Sequence, residues 1–232
     1  MNDQATVRFG LVHTVPALAP VFHDLVLDAV GPASQTAELI HATDPWLLRT
    51  AVTTGVTAEV TDRLVAHVRH LTSLGVDGVL VTCSSLGEAT EETSRRVSAA
   101  PVVRIDQAMA ERAVDLVGPG GRIVVLATLA STVGPTIRLV ERSANDAGTG
   151  VGVDVRLLEE AGRAREAGDD DRHDALVTEG VDQAISDGAG VVVLAQASMA
   201  RAVDSAAQRA VPVLASPELA AHRLVNLVRA RS

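Results

Sequence analysis

The chain contains no lysine: all 20 of its basic residues are arginine, and tyrosine is missing as well. Without lysine this chain forms no pyridoxal Schiff base and offers neither a lysine general base nor a phosphate-loop lysine. Its single cysteine, Cys83, excludes an internal disulfide and a multi-cysteine metal site. Side chains able to carry a proton near neutral pH reduce to Cys83, seven histidines and the carboxylates. Aromatic residues make up 1% of the chain, Trp46 among them, which argues against a pocket built for stacked rings. No apolar run reaches the ~18 residues that a membrane helix needs. The start, MNDQATVRFG, lacks the basic and apolar regions of a signal peptide. A net charge of -9 repels nucleic acid and acidic lipid. The expectation is a cytoplasmic protein with no nucleic-acid or membrane partner.

What the chain does have is alternation. Apolar runs at Val7–His13, Ala37–Ala42, Gly78–Cys83, Val102–Asp106, Arg122–Thr128, Val153–Leu158, Val191–Gln196 and Val211–Ser216 are separated by segments of helical periodicity. Runs such as GVLVTC and GVVVLAQ show no polar alternation, as in strands covered on both faces of a parallel sheet. Over Thr57–Leu74, by contrast, Val60, Leu64, Val68 and Leu71 recur at helical spacing. Gly31-Pro32, Gly118–Gly121, Gly148–Gly152 and Gly168–Asp171 read as turns. The pattern predicts an α/β fold with right-handed crossovers.

The segments also repeat. RFGLVHT at Arg8 matches RIVVLAT at Arg122, an offset of 114 residues. VLVTCSSLGEA at Val79 matches VVLAQASMARA at Val192, at 113, and PVVRIDQAMAERAVDLV at Pro101 matches PVLASPELAAHRLVNLV at Pro212, at 111. Three blocks in one order predict a duplication: two pseudo-symmetric Rossmann-like (flavodoxin-like) halves with parallel sheets and a ligand site in the cleft between them. The halves are drawn at residues 1–118 and 119–232, with the last helix able to pack on the first half. The same alignment pairs Cys83 with Gln196 and Thr14 with Thr128.

Cys83 ends an apolar strand and precedes Ser84, Ser85, Leu86 and Gly87, which open a helix. Backbone N–H groups and the positive helix end there favour a thiolate, or hold a substrate carboxylate; a buried structural thiol is the competing reading. His13, at the end of the first strand, is placed to bind a carboxylate or to act as acid/base. Thr14, Thr82, Ser84, Ser85, Thr128, Ala197 and Ser198 lie in strand-to-helix loops, where hydroxyls and peptide N–H groups serve a carboxylate or cap a helix. Asp44, before Pro45-Trp46, reads as a helix cap close to the site. Asp106 reads as a helix start. Arg104 and Arg201 are candidate carboxylate partners, or members of salt bridges. The remaining histidines have no metal-ligand spacing, and no metal or other cofactor is expected. No G-x-G-x-x-G motif follows a strand.

The segments GLVHTVPALAPVF, VLVTCSSLGEA, VLATLASTVGPT and VVLAQASMAR resemble the aspartate/glutamate/hydantoin racemase superfamily, which includes maleate isomerases and arylmalonate decarboxylases. The resemblance extends over nearly the whole chain. It implies one cysteine after the corresponding strand of each half, the two thiols serving opposite faces of the substrate's α-carbon. Cys83 takes the first position; Gln196 stands at the second, where an amide can hold a carboxylate or an enolate oxygen by hydrogen bond but does not exchange protons near neutral pH. The resemblance therefore implies a cofactor-independent racemase or isomerase of a small carboxylate or amino-acid-like substrate that works with one thiol. A decarboxylase or other lyase protonating an enolate from Cys83 is the alternative, as is a ligand-binding protein that has lost two-thiol catalysis. The family's habit of oligomerising leaves a homo-oligomer open.

Overall fold

In a computed structural model, residues 6–31, 37–203 and 209–231 are described. Pro32, in one of the turns read from sequence, lies outside them. The chain divides into two compact units. One runs to Ile105 and resumes from Pro217; the other spans Asp106–Ser216.

The first unit is built on strands β1 (Val7–His13), β2 (Ala37–Thr43), β3 (Gly78–Val81) and β4 (Val102–Arg104). Its helices are α1 (Ala19–Val30), α2 (Pro45–Thr54), α3 (Ala58–Ser73) and α4 (Gly87–Arg96). The second carries α5 (Gln107–Val117), then β5 (Arg122–Ala127), α6 (Ala130–Asp146), β6 (Gly152–Leu157), α7 (Glu159–Glu166) and α8 (Asp170–Ser186). It ends with β7 (Val191–Leu194) and β8 (Val213–Ala215), after which α9 (Ser216–Arg229) returns to the first unit. The sequence places the division at 118/119 and leaves the last helix able to pack on the first half; in the structure α5 belongs with the second sheet, and α9 with the first unit.

The sheets have the same topology. Their orders are β2-β1-β3-β4 and β6-β5-β7-β8, with every pairing parallel. The duplication holds to the level of single hydrogen bonds. Thr82 N donates to Val12 O at 3.0 Å, and Ala195 N to Leu126 O at 2.9 Å. Asp44 N donates to His13 O at 2.8 Å, and Leu158 N to Ala127 O at 2.7 Å. Each bond extends a central-strand ladder one step into the loop that follows.

The unbroken apolar runs are the central strands: every residue of β3 and β7 is buried. The edge strands β2 and β6 contain no buried residue. Helix α3 covers one face of the first sheet. Thr57 caps it by accepting from Val60 N, and Val60, Leu64, Val68 and Leu71 are buried against Val79, Val81 and Leu86. Truncating one of these leucines to alanine costs about 2–5 kcal/mol. In the second unit, Val177, Val181 and Ala184 of α8 pack on Val124, Leu126, Val192 and Leu194. Among the described residues, no helix is long and apolar enough to cross a membrane.

Candidate active site

The loop after β3 starts where the strand runs out of partners. Cys83 keeps an extended backbone (φ -133°, ψ 114°) and caps a 3-10 turn, Ser84–Leu86, that leads into α4. The turn is closed by Leu86 N donating to Cys83 O at 3.2 Å. Cys83 is 8% exposed, Ser84 6% and Ser85 3%, and Cys83 packs with Val12, Leu47, Val81 and Leu86. Cys83 therefore leads in an apolar setting into a 3-10 turn and then a helix, whose leading peptide N–H groups favour an anion.

The equivalent loop after β7 has the same backbone. Gln196 (φ -133°, ψ 140°) caps a 3-10 turn, Ala197–Ala202, and its carbonyl accepts from Met199 N at 3.1 Å. The side chain differs in use as well as in kind. Gln196 Oε1 accepts from Thr128 N at 2.6 Å, from Thr128 Oγ1 at 3.1 Å and from Leu129 N at 3.2 Å. It thus ties the loop after β7 to the loop after β5, filling the N–H cradle that opens α6. Gly162 of α7 lies against that loop so closely that a Cβ would stand 2.5 Å from Thr128 O. Ala197 and Ser198 are partly exposed and Thr128 is buried.

His13 is fully buried at the carboxyl end of β1. Its Nδ1 lies 3.0 Å from Thr82 Oγ1 and its Nε2 lies 2.9 Å from Nδ1 of His41 on β2. His41 Nε2 is in turn 3.1 Å from Nδ1 of His23 on α1. The rings are near-parallel and joined edge to edge, His13 and His41 at 5.2 Å and His41 and His23 at 5.3 Å between centroids. Burial, reinforced by His41, lowers the His13 pKa to about 4; burial and then His23 lower that of His41. Sequence reasoning assigned His13 to the site but left His23 and His41 as unrelated. The β1–β2 register pairs Leu11 with His41, so His41 lies beside the strand face that carries Leu11 and His13. That register was the only signal, and it is not local. With both ring nitrogens engaged, His13 reaches a substrate only by releasing a partner.

Asp44 is similarly committed. One carboxylate oxygen caps α2 by accepting from Trp46 N at 3.2 Å. The other accepts from Arg63 Nε at 2.5 Å and His67 Nε2 at 2.7 Å. Burial alone would raise its pKa, but these two hydrogen bonds and charges hold it below the ordinary carboxylate value. The Arg63 guanidinium also lies over Trp46, 4.7 Å from the ring centre. Asp44 so anchors α2 on α3. Arg104 is buried and pairs with Glu91 at 2.5 Å, resting on Gly87, where a Cβ would meet the guanidinium at 2.5 Å. Arg201 is exposed and bridges Asp170 and Asp174. Asp106 is buried at the start of α5, its carbonyl accepting from Ala110 N.

Thr14 and Ser84 are buried, and the structure brings His13, Thr14, Asp44, Thr82, Cys83, Ser84 and Ser85 to the carboxyl end of the first sheet. Thr128, Gln196, Ala197 and Ser198 stand at the carboxyl end of the second. The concave surfaces over α8 and between α5 and α6 contain none of these residues. Among the described residues, no group of three or more histidine, cysteine or acidic side chains is arranged to hold a metal ion.

The same two-sheet fold occurs in solved structures. An aspartate racemase homologue from Pyrococcus horikoshii OT3 superposes with a TM-score of 0.72 at 17% identity, over 96% of this chain and 99% of that one. Picrophilus torridus aspartate racemase gives 0.72 at 13% identity, covering 96% and 94%. Allantoin racemase from Klebsiella pneumoniae gives 0.63 at 19% identity, covering 97% and 89%. No curated protein sequence matches the chain significantly. The Asp/Glu/Hydantoin racemase family model, however, matches residues 21–224, and the chain belongs to that family.

Proposed function

We propose that this protein is a cofactor-independent racemase or isomerase of a small carboxylate or amino-acid-like substrate, with Cys83 as its proton carrier. The observation that carries the reading is the placement of the only thiol. Cys83 caps the strand-to-helix turn of the first sheet, in a chain whose family and structural neighbours are named for aspartate, glutamate, hydantoin and allantoin. Those compounds share an acidic C–H next to a carbonyl carbon. The N–H groups of the Ser84–Leu86 turn hold the thiolate or the substrate's carboxylate, and stabilise the enolate-like charge as the proton leaves. The lack of lysine in this chain argues against Schiff-base assistance.

Gln196 makes the chemistry one-sided. Its amide neither donates nor removes protons near neutral pH, and its oxygen is already held by Thr128 and Leu129. This arrangement favours a second reading, a lyase in which Cys83 protonates one face of an enolate after a carbon unit is lost. A single screen tests both. Amino acids, hydantoins including allantoin, malonates and maleate are incubated with the protein in deuterated buffer and followed by NMR and chiral chromatography. Deuterium entry at the α-carbon with loss of optical purity supports racemisation; a product of single handedness with carbon dioxide release supports the lyase. If Cys83→Ser is as active as the parent, both readings fall.

A further inference from the structure

We propose that His23, His41 and His13 form a proton relay that connects the buried carboxyl end of β1 and β3 with solvent. The hydrogen bonds fix its direction. Thr82 Oγ1 lies 3.2 Å from Val12 O, an acceptor only, so the hydroxyl donates there. With the hydroxyl so directed its oxygen accepts, and the relay assigns to His13 Nδ1 the hydrogen shared with it at 3.0 Å. A neutral His13 then has a bare Nε2, so His41 Nδ1 donates to it; a neutral His41 has a bare Nε2, so His23 Nδ1 donates to that. The result is one ordered row of Nδ1–H tautomers. Burial lowers the His13 pKa to about 4 and, with His23, lowers that of His41, which favours the neutral form of these two rings. His13 is wholly buried while His23 and His41 are partly exposed, so the row runs from interior to surface.

Each step balances. A proton from water adds to His23 Nε2, and the Nδ1 proton of His23 passes to His41 Nε2. The Nδ1 proton of His41 passes to His13 Nε2, and that of His13 to Thr82 Oγ1. The hydroxyl, turning from Val12 O, gives its own proton to a base at the end of β3. One proton enters and one leaves, and all three imidazoles finish neutral with the proton on Nε2. Reverse passage restores the starting row. The use of this path rests on the reaction proposed above, in which the base is the Cys83 thiolate or the substrate carbanion. His13, His23 and His41 are then positioning residues that recharge the site without touching substrate.

The test is NMR on the full chain with 15N-labelled histidine. The relay requires Nδ1–H tautomers at all three residues near neutral pH. His41→Gln keeps an N–H donor toward His13 Nε2 but cannot pass a proton on. It should slow exchange of the His13 ring N–H with water by about a hundredfold, the low end of what positioned proton transfer contributes. A structural role alone predicts unchanged or faster exchange, because a weakened contact lets water in. His23→Phe, at a partly exposed site, should slow exchange likewise, and added imidazole should restore it. An Nε2–H tautomer at His13, or unslowed exchange in both variants, overturns the relay. Should no screened compound be turned over, the proposed reaction fails while ring exchange still decides the relay.

Discussion

The turn that bears Cys83 and the turn that bears Gln196 are two copies of one piece of backbone. Both residues are extended with φ -133°, both cap a 3-10 turn, and both follow a fully buried strand. In the first unit the position holds an ionisable atom, and a fully buried histidine stands at the end of the neighbouring strand. In the second it holds an amide whose oxygen is taken up by three donors, and the residue matching His13 is Ala127. Duplication conserved the means of positioning a side chain, while the ionisable group stands in one copy only. The backbone that presents a thiol serves equally well to present a strut.

The strongest way to break this comparison is to remove each group in turn. Cys83→Ser should reduce α-proton exchange by roughly the 10²–10⁴-fold that a positioned proton-transfer group supplies. Gln196→Ala should leave exchange measurable, because it removes no proton carrier. Deuterium incorporation measured on both variants with the same substrate decides it. Equal loss in the two would mean that the second turn is as chemical as the first.

Acid should act on one unit before the other. An unfolded histidine takes up its proton near pH 6.5, whereas His13 in place does so only near pH 4. Between those values the unfolded state binds more protons, so stability falls as pH falls. The loss reaches up to about 3 kcal/mol by pH 4 for a single group. His41 adds a loss of the same sign. Asp44 adds a further loss below the ordinary carboxylate range, as protonation removes its bonds to Arg63 and His67. Amide hydrogen exchange at Leu11 and Leu80 should quicken relative to Leu126 and Leu194 as pH is lowered from 7 to 4.5. Equal quickening in both sheets would remove the asymmetry.

How much of this was legible in advance follows from range. Strand positions, the helix over Thr57–Leu74 and the Asp44 cap are local patterns of burial and capping, and each appears within two residues of its expected place. The pairing of Cys83 with Gln196 is not local, yet the duplication wrote it twice into the chain. The assignment of α5 to the second unit was not readable, since an amphipathic helix shows which face it buries and not against which sheet. The histidine row was hidden for the same reason: His13, His23 and His41 come from β1, α1 and β2, and only strand register and helix packing align their rings.

The strut can be taken apart in steps. Gln196→Ala removes the acceptor for two peptide N–H groups in a buried loop and should cost about 1–3 kcal/mol, the penalty for unsatisfied buried donors. Urea unfolding of the parent and variant measures it. A loss near zero would show that water replaces the amide.

Thr128→Val is the finest probe. It removes one hydroxyl donor to Gln196 Oε1, at 3.1 Å, and leaves both peptide donors in place. Valine nearly matches threonine in shape, and the amide oxygen keeps two partners, so the expected cost is about 0.5–1.5 kcal/mol. Thr82→Val, the corresponding hydroxyl deletion beside His13, instead strands a buried ring N–H that has no second acceptor in the hydrogen-bond row. It should therefore cost more than Thr128→Val, and in addition slow ring exchange at His13, which Thr128→Val should not change. Equal costs would mean that the two loops are braced alike and that the difference between the units ends at the side chains of Cys83 and Gln196.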